Sequence, residues 1–312
     1  MDLPQQFKKT LKLLLSSMLL GLCLIKPLYA EWDEWLLDTD ISFSAEDNIN
    51  RSIYGGESKS DQFWSGFVSL GRLYHFSGFT RMDISAQLDG RIHHKYSGLN
   101  QLTPGLRLGI RHKLGLGPYQ PWVRGYVSSG HIFSRSKIRQ GVLTHAGISL
   151  GKPLHERIDV ELGYRLDHRE SRNSNAIPRQ RLVQAGLNPE ISNSVYDLTG
   201  HSVELQFNAV LTKQLLLNLG YTFRSGDIVS TNMTSLAPRL AGITDAIAMD
   251  DAFPGDWVYR ADGISHTYFV NASYAFMDGH ASINLGYQHT GAHAKSFTYR
   301  TNSYRINFMY NF

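Results

Sequence analysis

The chain reads as an all-β protein, a transmembrane antiparallel up-and-down β-barrel of about twelve strands. Three observations lead there. In Tyr304, Ile306, Phe308, Tyr310 and Phe312 every second residue of the chain's last stretch is aromatic or branched apolar, the period of a strand with one apolar face. From Phe79 to His94 a longer run alternates in the same way, Met82, Ile84, Leu88 and Ile92 against Arg81, Asp83, Asp89 and Arg91. That run far exceeds the usual ~5–6 residues of a soluble strand and suits a tilted strand of ~9–11 residues crossing hydrocarbon. Finally, short and long connections between such runs strictly alternate along the chain.

Ahead of the first strand, Lys8, Lys9 and Lys12 precede an apolar stretch from Leu13 to Ile25, and Leu28-Tyr29-Ala30 offers a cut before Glu31. This predicts a cleaved signal peptide over residues 1–30, with residues 31–312 as one barrel domain. The apolar stretch falls short of the ~20 residues a spanning helix needs. The single cysteine, Cys23, lies in that leader, so the mature chain forms neither a disulfide nor a thiolate metal site. Lys8, Lys9, Lys12 and Lys26 against Asp2 also leave with it, lowering the net charge from +4 to +1. Nucleic acid is therefore not an expected partner, and no cofactor is expected.

The strands follow in order. Trp35–Phe43 and Phe63–Phe76 are the first two, more weakly patterned, and Phe79–His94 the third. In the fourth, Leu102, Pro104, Leu106, Leu108 and Ile110 oppose Arg107, Arg111 and Lys113. Pro121–Phe133 and Val142–Gly151 are again weaker. Then Val160, Leu162 and Tyr164 oppose Asp159, Glu161 and Arg165; Val203, Leu205 and Phe207 oppose Glu204, Gln206 and Asn208; Leu217, Leu219 and Tyr221 oppose Asn218 and Thr222. Tyr268–Phe276, Ile283–Gln288 and the C-terminal run complete twelve, an even number as single-chain barrels require. Ten or fourteen also fit, because four strands are faintly patterned.

Predicted turns at one end are short: 77–78, 114–120, 152–156, 212–214 and 277–279. Those at the other fall near 44–62, 95–101, 134–141, 169–200, 225–263 and 290–297, two of them long and polar. Such asymmetry places the short turns in the periplasm and the long loops outside. Tyr74, Phe76, Trp122, Tyr221, Phe223, Tyr274, Phe276 and Tyr310 lie at strand ends, where amphipathic rings form interfacial girdles. Pro104 deletes a ladder donor and predicts a bulge or strand mouth.

The terminal aromatic strand Tyr304, Ile306, Phe308, Tyr310, Phe312 resembles the insertion signal of bacterial outer-membrane β-barrels. Asp47-Asn48-Ile49-Asn50-Arg51, Gly115-Leu116-Gly117-Pro118-Tyr119-Gln120-Pro121-Trp122 and Gly226-Asp227-Ile228-Val229-Ser230-Thr231 are similar to functionally uncharacterised proteobacterial barrel proteins. The resemblance implies the outer membrane of a Gram-negative bacterium, with lipid, lipopolysaccharide and the barrel assembly machinery as partners. It implies no activity.

Catalytic patterns are poor. Asn173-Ser174-Asn175 has no histidine at strand spacing, Asp38-Thr39-Asp40 falls at the periplasmic end, and Asp167-His168 are adjacent instead of spaced. The expectation is a protein that is not an enzyme. His289 and His293 would share a metal only on a helical loop. Asp245, Asp250, Asp251 and Asp256 are the remaining metal candidates, in a loop whose Ala252-Phe253-Pro254 and Trp257-Val258-Tyr259 predict an inward-folded plug.

The charged faces carry the functional expectation. Arg81, Arg91, Arg107, Arg111 and Lys113 line two neighbouring strands, while Asp159, Glu161 and Arg165 lie on the seventh. Facing walls of opposite sign sort ions in a pore. This predicts a porin-like channel for small polar solutes, anions among them. Two alternatives stay open: a structural or export-associated barrel with a closed lumen that binds a partner or lipopolysaccharide, and a barrel lipid hydrolase or protease.

Overall fold

A computed structural model describes residues 32–172, 176–233, 244–295 and 297–311. The expected signal peptide, Asn173-Ser174-Asn175 and Phe312 lie outside these described residues. Thirteen strands form: β1 (Trp32–Glu46), β2 (Asp61–His75), β3 (Thr80–His93), β4 (Gln101–Lys113), β5 (Trp122–Ser134), β6 (Gly141–His155), β7 (Ile158–Ser171), β8 (Leu198–Val210), β9 (Leu215–Met233), β10 (Ala246–Met249), β11 (Asp256–Phe276), β12 (Ala281–Ala294) and β13 (Phe297–Asn311), with one short helix, α1 (Arg179–Gln184).

Each wall strand pairs antiparallel with its sequence neighbour; β13 pairs with β1 and β9 with β11, which closes the sheet. Closure removes the edge that an open sheet would expose to hydrocarbon. The four-residue β10 pairs only with β11, at residues 257–260, beyond the reach of β12. All strands but β10 therefore make the wall, and the barrel has twelve. No helix among the described residues is long and apolar enough to cross a membrane; this chain crosses with strands.

The register fixes the two faces. Outward residues include Ile92 and Leu106, each 66% exposed, and Trp64 at 57%. In water, each such side chain would forgo about 1.5–3 kcal/mol of burial, so the belt they form matches lipid. Inward residues are polar, and Arg224 Nε reaches within 3.8 Å of Asp167 from two strands away, which is possible only on the concave side.

Most sequence-predicted strands are present with extended ends. Three connections differ. β9 continues to Met233 and β11 begins at Asp256, inside the loop expected over 225–263. Val229, Ser230, Thr231 and Asn232 are all buried, so both faces are covered there and period-2 alternation disappears. β12 and β13 likewise extend through the loop expected at 290–297, and β6 runs to His155 through an irregularity between Pro153 and His155. Pro104 is accommodated as expected of a missing donor: the β4–β5 ladder is unpaired at Thr103 and Pro104 and resumes at Gly105.

The fully buried apolar residues gather at the long-loop end. Ile177, Leu182, Ile247, Trp257 and Tyr259 form one cluster, Ile138, Val195, Tyr196 and Val258 a second, and Leu99, Ala252 and Phe253 a third. The hydrophobic core of this molecule is thus a cap, and the barrel interior is polar.

Candidate functional site

Within the interior, strands β3, β4 and β5 form a basic arc. Arg81 stands directly opposite Arg111, and Arg111 directly opposite Arg124. Arg107 and Lys113 flank Arg111 on the same inward face. Among the described residues, none of these five cations has a carboxylate within 4.0 Å.

Stacking holds two of them in place. The Arg107 guanidinium lies 4.7 Å from the Tyr126 ring centre, and that of Arg111 lies 4.1 Å from Trp122. Each cation–π contact contributes about 0.5–2 kcal/mol. The rings lie flat because the next strand carries glycine beneath them. A Cβ at Gly147 would come 2.5 Å from Tyr126, and one at Gly151 2.0 Å from Trp122. The pattern arginine, aromatic, glycine thus runs twice across β4, β5 and β6. Trp122, expected in the interfacial girdle, is on the inward face; its position at a strand end is consistent with either side until register is known.

On β7, β8 and β9, Asp167 and Glu204 are matched by nearby cations. Arg165 donates to Asp167 at 2.9 Å and lies 2.6 Å from Glu204, while His145 Nδ1 is 2.6 Å from Asp167. The expected selectivity residue Arg165 is therefore a paired cation, unlike Arg107 and Arg111. Asp159 accepts from Asn208 at 2.8 Å, Asn208 from Asn218 at 2.6 Å, and Asn218 from Asn271 at 3.0 Å. A second run links Asn284 to Asn307 at 3.2 Å and Asn307 to Asp40. Glu161 faces inward opposite Gly151, and Arg91 lies 3.8 Å from Asp89.

Nothing in the sequence singled out this amide belt. Its members sit at inward positions of separate strands, and only cross-strand register puts them side by side.

The interior also aligns Ser128, His145 and Asp167 in register across β5, β6 and β7. Nucleophile activation needs the hydroxyl within about 2.6–3.2 Å of the base. No Ser128–His145 hydrogen bond forms, and Asp167 is engaged by two arginines as well. Asp167 and His168 point to opposite faces, as neighbours on a strand must.

At the long-loop end the segment 246–253 reaches across the mouth. It emerges between β9 and β11 yet touches connections from the rest of the circumference. Asp250, its side chain fully buried, accepts from Arg139 at 2.7 Å, Thr231 at 2.8 Å and the Ala252 amide at 3.0 Å. Asp251 accepts from the Lys137 amide at 2.9 Å and from Ser136. Phe253 packs 4.9 Å from Tyr96, and Gly98 approaches so closely that a Cβ would sit 2.5 Å from the Ala252 Cα. The Ile247 amide donates to Ser192 at 2.8 Å. Tyr196 lies between Arg139 and Arg169, at 4.6 and 5.0 Å. Burial pushes the Tyr196 hydroxyl well above the usual tyrosine range.

These contacts engage the metal candidates otherwise. Asp250 and Asp251 bind the protein as above, Asp256 lies 2.9 Å from Lys59, and Asp245 accepts from the Asp262 amide at 3.1 Å. Among the described residues no group of three or more His, Asp or Glu is arranged to hold a metal. His289 and His293 belong to β12, where strand geometry replaces the helical spacing a shared ion would need. They bind Asn302 and Thr298, each at 2.8 Å.

A closed wall, an apolar belt and a polar interior define a β-barrel of the bacterial outer-membrane type. No family model matches the chain, and no curated protein matches it. Among solved structures it is similar to an outer membrane channel from Pseudomonas putida F1, at 10% identity and TM-score 0.52, covering 92% of this chain and 99% of that one. Lower similarity is found to the NanC porin, at 8% identity and TM-score 0.46 over 87% and 98%. The KdgM porin matches at 9% identity and TM-score 0.42 over 88% and 99%. The first of these supports the fold: this is an outer-membrane β-barrel, set in outer-membrane lipid and lipopolysaccharide.

Proposed function

We propose that the protein is a channel for small polar solutes that favours anions and is gated at its outer mouth by the segment 246–253. The observation that carries the proposal is the basic arc. Arg81, Arg107, Arg111, Lys113 and Arg124 face the interior without carboxylate partners within 4.0 Å, whereas Asp167 and Glu204 are engaged by Arg165, Arg224 and His145, and Asp159 by Asn208. A positive wall beside one whose Asp167 and Glu204 are already matched by cations attracts anions at the level where they must pass.

Conductance of the refolded protein in a planar bilayer under a salt gradient tests this. Discrete steps with anion preference are expected, and Arg107→Glu with Arg111→Glu reverses that preference. A correctly folded protein that never conducts, even with 246–253 excised, sinks the channel reading.

The cap favours a second reading, in which the lumen stays closed and the loops bind a partner or lipopolysaccharide. It would be upheld by that permanent silence.

A further inference from the structure

Three arginines in direct register on adjacent strands are an unusual arrangement. Neighbouring strands lie about 4.8 Å apart, and like charges directly opposite each other destabilise a sheet. Arg81, Arg111 and Arg124 accept two such pairings, with His75 opposite Arg81 in the same row. Asp159 and Glu161 act on Arg111 only by longer-range attraction across the interior. The Arg124 Nε is buried and makes no hydrogen bond. Arg81 and Arg111 open on a cavity of about 270 Å³ at the short-turn end, whose lining also includes His75, Lys113, Gln120 and Trp122; Arg124 stands next in the row, outside that lining.

From the register and the cavity, we infer that this end of the barrel is a binding site for a small polyanion, one bearing at least two negative charges within a few ångströms of each other. Arg81 and Arg111 would each donate a guanidinium edge, Lys113 would add a point charge, Gln120 would supply a neutral donor, and Arg124 would add positive potential from the neighbouring position in the row. The planar forks suit carboxylate or phosphate oxygens. The inference deepens the channel reading and rests on it for its role in transport, but the binding itself does not require conduction.

Calorimetry on the full-length folded barrel in detergent, titrated with inorganic tripolyphosphate and separately with citrate, tests it. Expected is one saturable site for at least one probe, weakened tenfold or more by Arg81→Gln and by Arg111→Gln and unchanged by Lys95→Gln at the outer end. Preference between the probes tells phosphate from carboxylate chemistry. Heat-modifiable gel migration verifies that each variant is folded. No binding of either probe, or equal binding by folded Arg81→Gln, overturns the site. A barrel that binds but does not conduct keeps the site and discards the channel.

Discussion

Arg139 and Asp250 meet at 2.7 Å inside the cap, from connections 111 residues apart, with the Asp250 side chain wholly removed from solvent. Burial is the strongest influence and works against the charge on Arg139, but Asp250, Tyr196 and Asp251 together outweigh it and hold Arg139 above the ordinary arginine range. The pair joins the segment over the mouth to the β5–β6 connection. It is the electrostatic fastening of the cap.

Asp250→Asn should therefore loosen the cap without melting the barrel. Removing one partner of a buried pair leaves the other uncompensated, at a cost of about 3–5 kcal/mol. Neither Arg139 nor Asp250 belongs to a wall strand, and Thr231, which also donates to Asp250, lies at the extended outer end of β9. Longer open times in a bilayer and faster proteolysis within residues 244–255 are expected, with unchanged heat-modifiable migration. Identical gating and cleavage would refute the latch.

Phe253→Ala tests the same cap through packing. Truncating a buried phenylalanine costs about 3–5 kcal/mol, and this ring sits against Tyr96 and Leu99. The expected result is again increased opening, additive with Asp250→Asn only in part because both act on one hairpin. A global loss of barrel stability instead would show that the cap and wall fold as one unit.

Gly151→Ala should lower conductance and anion preference together. Its methyl group would meet the Trp122 ring at 2.0 Å, forcing the indole into the lumen and away from Arg111. Tryptophan emission and single-channel current report the two halves of that effect. A normal current with a displaced Trp122 would mean that the ring position does not control the pore.

The cap should also loosen in alkali. Burial raises the Tyr196 hydroxyl above its usual value of about 10. The folded cap therefore favours the neutral phenol. Its stabilising effect is complete below pH ~10 and is lost as pH rises toward the folded value. Since the Tyr196 hydroxyl has no hydrogen-bond partner among the described residues, Tyr196→Phe should keep the cap closed at neutral pH and reduce the alkaline opening. Channel recordings from pH 8 to 11 on both proteins decide it; an alkaline transition of equal size in the variant assigns the effect elsewhere.

Alternation along each strand is a local property, and it made the wall legible from residues alone. Ile84, Leu88 and Ile92 against Arg81, Asp89 and Arg91 stated which face meets lipid and which meets water. An inward fold of the loop around Phe253 and Trp257 was legible too, because apolar residues in a long polar connection must find cover. What the sequence could not state is who stands beside whom across strands. Whether Arg107 is unpaired while Arg165 is matched, whether Trp122 faces lipid or lumen, and whether Asn208, Asn218 and Asn271 touch all depend on register and closure. The buried extensions of β9 and β11 were hidden for a related reason, since a strand covered on both faces has no period to read. Chain-local chemistry determined the barrel; the tertiary structure decided its charge balance and its cap, because residues far apart in sequence share an electrostatic environment only after the sheet closes.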